Sequence, residues 1–375
     1  MQFALSTTKE ALISPLNFVA GAADYRGTVP MLGTALLKTT GGRLSLLCSD
    51  GAVLARTLAE CKVDHEGELA VDARRFGDLI KAMPDKQAIS LAMDGEQLLV
   101  KAGRSRFRLP VHSAEDYPKM VTSDEGKVTI QISSKRLGEM FEEVSAAMAS
   151  ADVRHFLNVT CLTLMEGALW TVATDGHRMI VSCQPIEGSE KIPATEVLVP
   201  RKSALLARKL LATSTEDATL VFGKGEFRIQ FKDGTVLLSK CVDGKYPDWK
   251  RVIPETPCVA TIEKEKLRNA LGMVRASIES SNKKGPAQRA VRLLFGKSLV
   301  AVSHADVATS ELEADNPDSS NEEIGVSVDY ITDAVEAMPK GGKDIRVGYE
   351  GSTKPLTVRP VGADYPLSIV MPLRD

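Results

Sequence analysis

The stretch LAVDARRFGDLIKAMP, residues 69–84, has a counterpart in IGVSVDYITDAVEAMP, residues 324–339. Phe76, Leu79, Ile80, Met83 and Pro84 match Ile331, Ala334, Val335, Met338 and Pro339, each pair 255 positions apart. The four apolar positions fall at i, i+3, i+4 and i+7, one face of a helix, and the proline ends it. A strand-like apolar run precedes each helix. Between the two copies lies VLVPRKSALLARKLL, residues 197–211, so the period is about half of that separation, near 127 residues.

Two further landmarks keep the same order and spacing. Tyr-Pro pairs stand at Tyr117-Pro118, Tyr246-Pro247 and Tyr365-Pro366. An apolar strand entering a small turn recurs as RLSLLCSDGAVLA (43–55), ALWTVATDGHRMIV (168–181) and SLVAVSHADVATSEL (298–312). Each repeat opens with a strand and a helix, expected from Thr7 to about Ala20, Ser133 to Met148 and Glu263 to Ile278. Thr7 and Glu10 have capping-box spacing, and Pro15 is expected to kink or end the first helix. Leu137, Met140, Phe141, Val144 and Met148 form one face of the second; Leu267, Leu271, Val274 and Ile278 form one face of the third. Strand pairs with Gly41-Gly42, Asp94-Gly95 and Asp233-Gly234 turns fill the rest. The fold class is α+β, with three domains at 1–124, 125–256 and 257–375. No Pro/Ser-rich linker separates them, so they are expected to pack together.

Bulk properties exclude several classes. The 375 residues are 43% apolar and 26% charged, with net charge −2, so whole-chain charge does not point to nucleic acid. The six cysteines (48, 61, 161, 183, 241, 258) show neither C-x-x-C nor metal-ligand spacing, which fits reduced thiols. The N-terminus lacks the pattern of a signal peptide, and no apolar run reaches the roughly 18–20 residues of a spanning helix. A soluble, cytoplasmic protein without metal or cofactor is expected.

Asp175, His177 and Arg178 invite a catalytic reading. The repeat explains Asp175 and Gly176 as a turn, since Asp50-Gly51 occupies the same place. No G-x-S-x-G elbow, H-E-x-x-H or Walker loop accompanies His177. No catalytic residue is therefore assigned, and a hydrolase built on His177 and Asp175 has no further support.

DVRHFLN (152–158), TVATDGHRMIV (171–181), VPRK (199–202), DGKYPDWKRVIP (243–254) and VMPLR (370–374) together resemble one family across the whole chain, the bacterial β sliding clamps, processivity subunits of replicative DNA polymerase III. The resemblance implies antiparallel sheets outside, two helices per domain inside, and two chains closed head-to-tail into a ring. Duplex DNA would thread the hole without sequence preference, and the DNA-binding residues would be Arg26, Arg74, Arg201 and Lys202. The second helices of repeats one and two are basic, whereas the third carries Asp329, Asp333 and Glu336.

The resemblance also implies a peptide groove of Leu157, Thr174, Gly176, His177, Arg178, Met179, Pro247, Arg251, Val252, Val370, Met371, Pro372, Leu373 and Arg374. Polymerase and clamp loader would insert short linear motifs there. An apolar SIVMP at the chain end independently asks for a cover, or else for an edge strand completing the third domain. The homodimer interface would use Arg75, Phe107, Leu109, Ile278 and Glu279. Here the chain departs from the family, which usually places two aliphatics where Ile278-Glu279 stands. Arg104, Arg106 or Arg108 is expected to answer Glu279. The loop 279–290 is long and polar, with Gln288 near the groove, and Glu311 and Glu313 are the acids left to face Arg75. The alternative is a divergent peptide-binding module or decoy with a weak ring or none.

Overall fold

The computed structural model describes residues 3–120, 122–280, 289–305, 307–317 and 321–373. Gln288 and most of the 279–290 loop lie outside the described residues, as does Arg374. The chain separates into two compact units: Met1–Gly138 with Lys202–Cys241, and Glu139–Arg201 with Val242–Asp375. Each unit holds one antiparallel sheet, of thirteen described strands in the first and twelve in the second. The middle repeat gives one ladder to each. Val128–Ser133, Asp217–Gly223, Glu226–Gln230 and Val236–Lys240 join the first sheet; Val159–Met165, Ala168–Thr174, Arg178–Pro185 and Thr195–Pro200 join the second.

The helices are α1 (Lys9–Val19), α2 (Ala73–Ala82), α3 (Ser134–Ser145), α4 (Arg201–Leu211), α5 (Lys264–Ser280) and α6 (Val328–Glu336). The capping box expected at Thr7 and Glu10 is not formed. Thr7 belongs to the strand Ala4–Thr8 and donates its hydroxyl to the Glu60 carbonyl at 2.7 Å. Thr8 caps instead, accepting from the Ala11 N–H at 3.3 Å, and Glu10 accepts from the Lys86 N–H. Pro15 sits inside α1 without ending it. Proline removes one helical hydrogen bond, but Leu12, Leu16, Phe18 and Val19 are buried, and burying each large apolar side chain is worth about 1.5–3 kcal/mol.

The matching apolar positions of α2 and α6 do form the core faces: Phe76 and Ile80 in one, Ile331, Ala334 and Val335 in the other, are buried. A lysine closes the end of each. Lys9 Nζ donates to the Met83 carbonyl at 2.7 Å and to Asp85 at 2.8 Å. Lys264, 255 positions later and 4% exposed, donates to the carbonyls of Met338 at 2.7 Å and Pro339 at 3.3 Å. The last carbonyls of a helix have no partner within it, so an ammonium there satisfies them and opposes the negative end of the helix dipole.

One joint between repeats occurs in both units. In the first, Val53–Arg56 pairs with Val236–Ser239, Val53 opposite Ser239. In the second, Arg178–Val181 pairs with Leu367–Val370, Arg178 opposite Val370. The last strand of a repeat thus joins the strand after the Asp-Gly turn of the repeat before it. Each repeat also pins the end of its last strand or the chain just beyond it: Val71 pairs with Val111, Leu198 bridges Val242, and the Leu373 N–H donates to Gly325. Leu367–Val370 is therefore no edge strand, because Leu356–Pro360 flanks it on its other side.

Lys264→Met should destabilise the second unit by about 1–3 kcal/mol, the cost of leaving buried carbonyls unpaired. Urea unfolding followed by tryptophan fluorescence reads this directly, since Trp170 and Trp249 both lie in that unit. An unchanged midpoint would mean that water replaces the ammonium at no cost.

Candidate functional site

The turn Thr174–Arg178 is built by its own side chains. The Thr174 hydroxyl accepts from the Gly176 N–H at 3.1 Å and donates to the Arg178 carbonyl at 2.6 Å. Asp175 Oδ1 accepts from the N–H groups of His177 at 2.9 Å and Arg178 at 3.1 Å. Gly176 has φ +91°, a conformation that favours glycine. The first repeat does the same: Ser49 accepts from Gly51, and Asp50 Oδ1 from Ala52 and Val53. The Asp175 carboxylate is thus occupied by the turn and by Arg178, and orients no catalytic base.

Arg178 is a framework residue. Its side chain is 12% exposed and bridges Asp175, at 3.0 Å, and Asp333. It also donates to the Ala146 carbonyl, and its guanidinium lies 4.5 Å from the centre of the Tyr330 ring. These contacts tie the turn to α6 and to the stretch after α3. The His177 ring, exposed, lies nearly parallel to Tyr330 at an angle of 18°.

The tail meets the same turn. The Met371 N–H donates to the His177 carbonyl at 2.9 Å, and the Leu373 N–H to Gly325 at 2.8 Å. Two backbone bonds therefore fix residues 371–373, while the side chains of Met371 and Leu373 stay 42% and 36% exposed. Val370, Met179 and Leu157 are buried, so none of the three offers open surface. Tyr246 and Trp249 join Met179, Trp170 and Ile369 in one buried cluster. That cluster anchors the short helical turn Trp249–Val252 and leaves Pro247, Arg251 and Val252 exposed.

Residues absent from the sequence assignment complete the surface. Arg154 forms a two-pronged pair with Asp152, both contacts at 2.9 Å, and Arg154 holds the Asp152 carboxyl down at about 2. Its guanidinium lies over Gly176, 3.4 Å from where a Cβ would stand. Val153 beside it is 90% exposed. The DVRHFLN motif contained the signal for Arg154 and Val153. Nothing in the sequence linked Tyr330 or Asp333 to this turn, although Asp333 stood out as one of the acids of its helix.

The basic residues divide by what they already hold. Lys202 spends its three donors on Asp50 at 2.6 Å and on the carbonyls of Ala22 and Ala23. Arg201 donates to the Met148 carbonyl at 2.7 Å. Arg26, Arg74 and Arg75 are exposed and form no ion pair among the described residues. The acids of α6 are matched inside their own unit: Asp329 with Arg275 and Arg289, Asp333 with Arg178, and Glu336 with Arg268 at 3.9 Å.

Phe107 is 40% exposed and Leu109 half-buried on the strand Ser105–His112. Ile278 is buried, and Glu279 pairs at 3.2 Å with Arg275, one helical turn before it. Within the chain Glu279 thus has Arg275 as its partner, and Arg108 pairs with Asp94 at 3.0 Å. No group of three or more His, Cys, Asp or Glu side chains among the described residues is placed to hold a metal, and no described helix is long and apolar enough to cross a membrane.

Comparison with known proteins gives a consistent result. The family models described as DNA polymerase III beta subunit, N-terminal domain and central domain, match residues 1–121 and 131–248. The β sliding clamp of Pseudomonas putida is 32% identical over 373 residues, covering 98% of both chains. That of Escherichia coli K12 is 30% identical over 377 residues, again covering 98% of both. Among solved structures, a DnaN sliding clamp from Pseudomonas aeruginosa bound to griselimycin superposes with TM-score 0.88 at 30% identity, covering 100% of both chains. The DNA polymerase sliding clamp of Caulobacter crescentus gives 0.82 at 28% identity, covering 99% of this chain and 100% of that one.

Arg178→Met should cost about 3 kcal/mol, because removing one partner strands Asp175 and Asp333 without a cation. The Asp333→Asn change, which leaves Asp175 as partner, should cost clearly less. Equal losses in thermal or urea unfolding would contradict the central place given to Arg178.

Proposed function

The chain belongs to the β sliding clamp family, the β subunit of DNA polymerase III, and we propose how its own residues carry out that work. It is a DNA sliding clamp: it tethers the polymerase to duplex DNA. It works by topology and binding, with no chemical step assigned to any residue. A bacterial replication role puts it in the cytoplasm.

The observation that carries the closed ring is the joint used twice. Three domains, at 1–124, 125–256 and 257–375, offer three such joints, and one chain makes two. The remaining halves are the strand Ser105–His112 of the first domain and Ala308–Asp315 of the third. Among the described residues Ser105–Pro110 is paired on one side only, with Gln97–Ala102, while Val111 and His112 pair with Val71 and Ala70. Ala308–Glu313 is likewise paired on one side only, with Leu299–His304. The first edge carries Arg104, Arg106 and Arg108, and the second Glu311, Glu313 and Asp315. Opposite charge steers and registers such edges. A second copy of the chain, head to tail, satisfies both edges at once and closes a ring of two chains, with Phe107 and Leu109 supplying apolar contact and Arg75 facing the acids. Ile278 supports that contact from within its own unit. Within the chain Glu279 has Arg275 as a partner, and none of the comparisons favours a decoy.

Arg26 and Arg74, exposed and without an ion pair among the described residues, are the best-supported DNA contacts. Arg201 and Lys202 act first as framework. Non-specific phosphate attraction without base readout suits a clamp that slides.

The peptide surface takes short linear motifs of the polymerase and clamp loader. Met371, Leu373, Val252 and Pro247 offer apolar contact, and a thioether side chain repacks around different partners. His177, Gly176, Arg154 and Arg251 supply polar contacts at the rim. Thr174, Arg178, Leu157, Met179 and Val370 hold the wall and floor in shape, and Pro372 extends the tail side.

Two measurements test this reading. Light scattering on a sizing column should give twice the 40.4 kDa chain mass, and the loaded protein should remain on nicked circular DNA at high salt yet leave the linearised form. Equal salt-sensitive loss from both would refute encirclement. Met371→Ala with Pro372→Ala should weaken a clamp-motif peptide at least tenfold in fluorescence anisotropy while leaving that mass unchanged. Unaltered peptide binding would remove the tail from the groove.

A further inference from the structure

The loop from Ala20 to Gly33 contains a feature that neither the fold nor the groove uses. Tyr25 is 39% exposed, and its hydroxyl donates to the Ala20 carbonyl at 3.1 Å, at the C-terminal end of α1. The Arg74 guanidinium, from the first turn of α2, lies 4.7 Å from the centre of the Tyr25 ring. Arg74 has no carboxylate within ion-pair distance among the described residues, so the ring is what holds it. The next residue, Arg26, is fixed by its backbone. Asp24 Oδ1 accepts from the N–H groups of both Arg26 and Gly27 at 2.9 Å, and a Cβ on Gly27 would stand 2.2 Å from Asp24 Oδ2. Asp24 is thereby occupied by the loop and does not neutralise either arginine.

We propose that Tyr25 is a positioning residue: its ring holds Arg74 out beside Arg26, so that the two guanidiniums meet the DNA phosphates as one unit. The inference rests on the sliding-clamp reading and adds a residue to it. A guanidinium over an aromatic face keeps all its N–H donors at its rim, whereas one paired with a carboxylate has spent two of them. Stacking therefore orders a long side chain without consuming what binds phosphate. Burial pushes the Tyr25 phenol up to about 12, so it stays neutral and brings no negative charge to the DNA.

The test is binding of the full-length protein to a short fluorescent duplex by anisotropy, over a series of potassium chloride concentrations. Arg74→Ala should lower the slope of log affinity against log salt by about 0.9, one phosphate contact. Tyr25→Leu and Tyr25→Gln should weaken binding about two- to fivefold, the range of an exposed cation–π contact. Tyr25→Phe should bind like the parent protein, and adding Tyr25→Leu to Arg74→Ala should cost nothing more. The proposal is overturned if Tyr25→Leu and Tyr25→Gln bind normally while Arg74→Ala is weakened. It is also overturned if the Tyr25 and Arg74 losses add, since the ring would then touch DNA by itself. If Arg26→Ala and Arg74→Ala both bind normally, the DNA face itself is wrongly placed, and the proposal falls with it. An unchanged urea-unfolding midpoint followed by far-UV circular dichroism reports that each variant is folded.

Discussion

Four residues of the tail, Leu367–Val370, hydrogen-bonded to Arg178–Val181, hold the candidate groove together. This ladder sets the register, and register in a sheet decides which face each side chain occupies. With Val370 opposite Arg178, Leu367 and Ile369 turn into the buried cluster of Trp170, Met179 and Trp249. The next residue, Met371, then reaches the His177 carbonyl and leaves its side chain outside. A shift by one residue would bury the wrong set and carry Met371 away from the turn. The peptide surface is therefore a by-product of a packing problem solved one layer below.

Charge is apportioned within each unit. Arg178, Lys202 and Arg201 are engaged by carboxylates or backbone carbonyls, and the acids of α6 are matched within their unit. Desolvating a cation is costly unless it is paired, so the half-buried basic residues have become framework. Arg26 and Arg74 are exposed and form no ion pair among the described residues. This explains why a count of Lys and Arg along α2 and α4 overstates what is available to a polyanion.

Periodicity made the architecture legible. The apolar spacing of Phe76 to Met83 and of Ile331 to Met338 located two helices and the repeat, because core faces must recur at 3.6 residues. The Asp-Gly turns were equally readable, since their hydrogen bonds are local. Illegible were contacts between residues distant in sequence. Nothing near Arg178 announced Asp333, and nothing near Glu279 except Arg275, one turn away, announced its partner. The first helix cap slipped by one because Thr7 and Thr8 offer the same hydroxyl, and only the partner of the strand Ala4–Thr8 decides which is free. Leu157, Met179 and Val370 were assigned to the peptide surface on resemblance, and all three are buried in the chain. Motif matching finds a neighbourhood without telling its floor from its rim.

The middle repeat, which gives one ladder to each unit, bears on how such a chain can be divided or can have arisen. Cutting at residue 124 would bare the edge Val53–Arg56 along with its buried neighbours, and an uncovered edge of that kind recruits any strand it meets. A repeat of this type is therefore not a free-standing module but half of two partnerships. The same backbone ladder forms whether or not its two strands belong to one polypeptide. Fusing repeats raises the effective concentration of one strand for the other without changing the joint. A short self-associating ancestor and a long chain of tandem copies would thus be solutions to one geometry, differing in how many of the joints are covalently tethered.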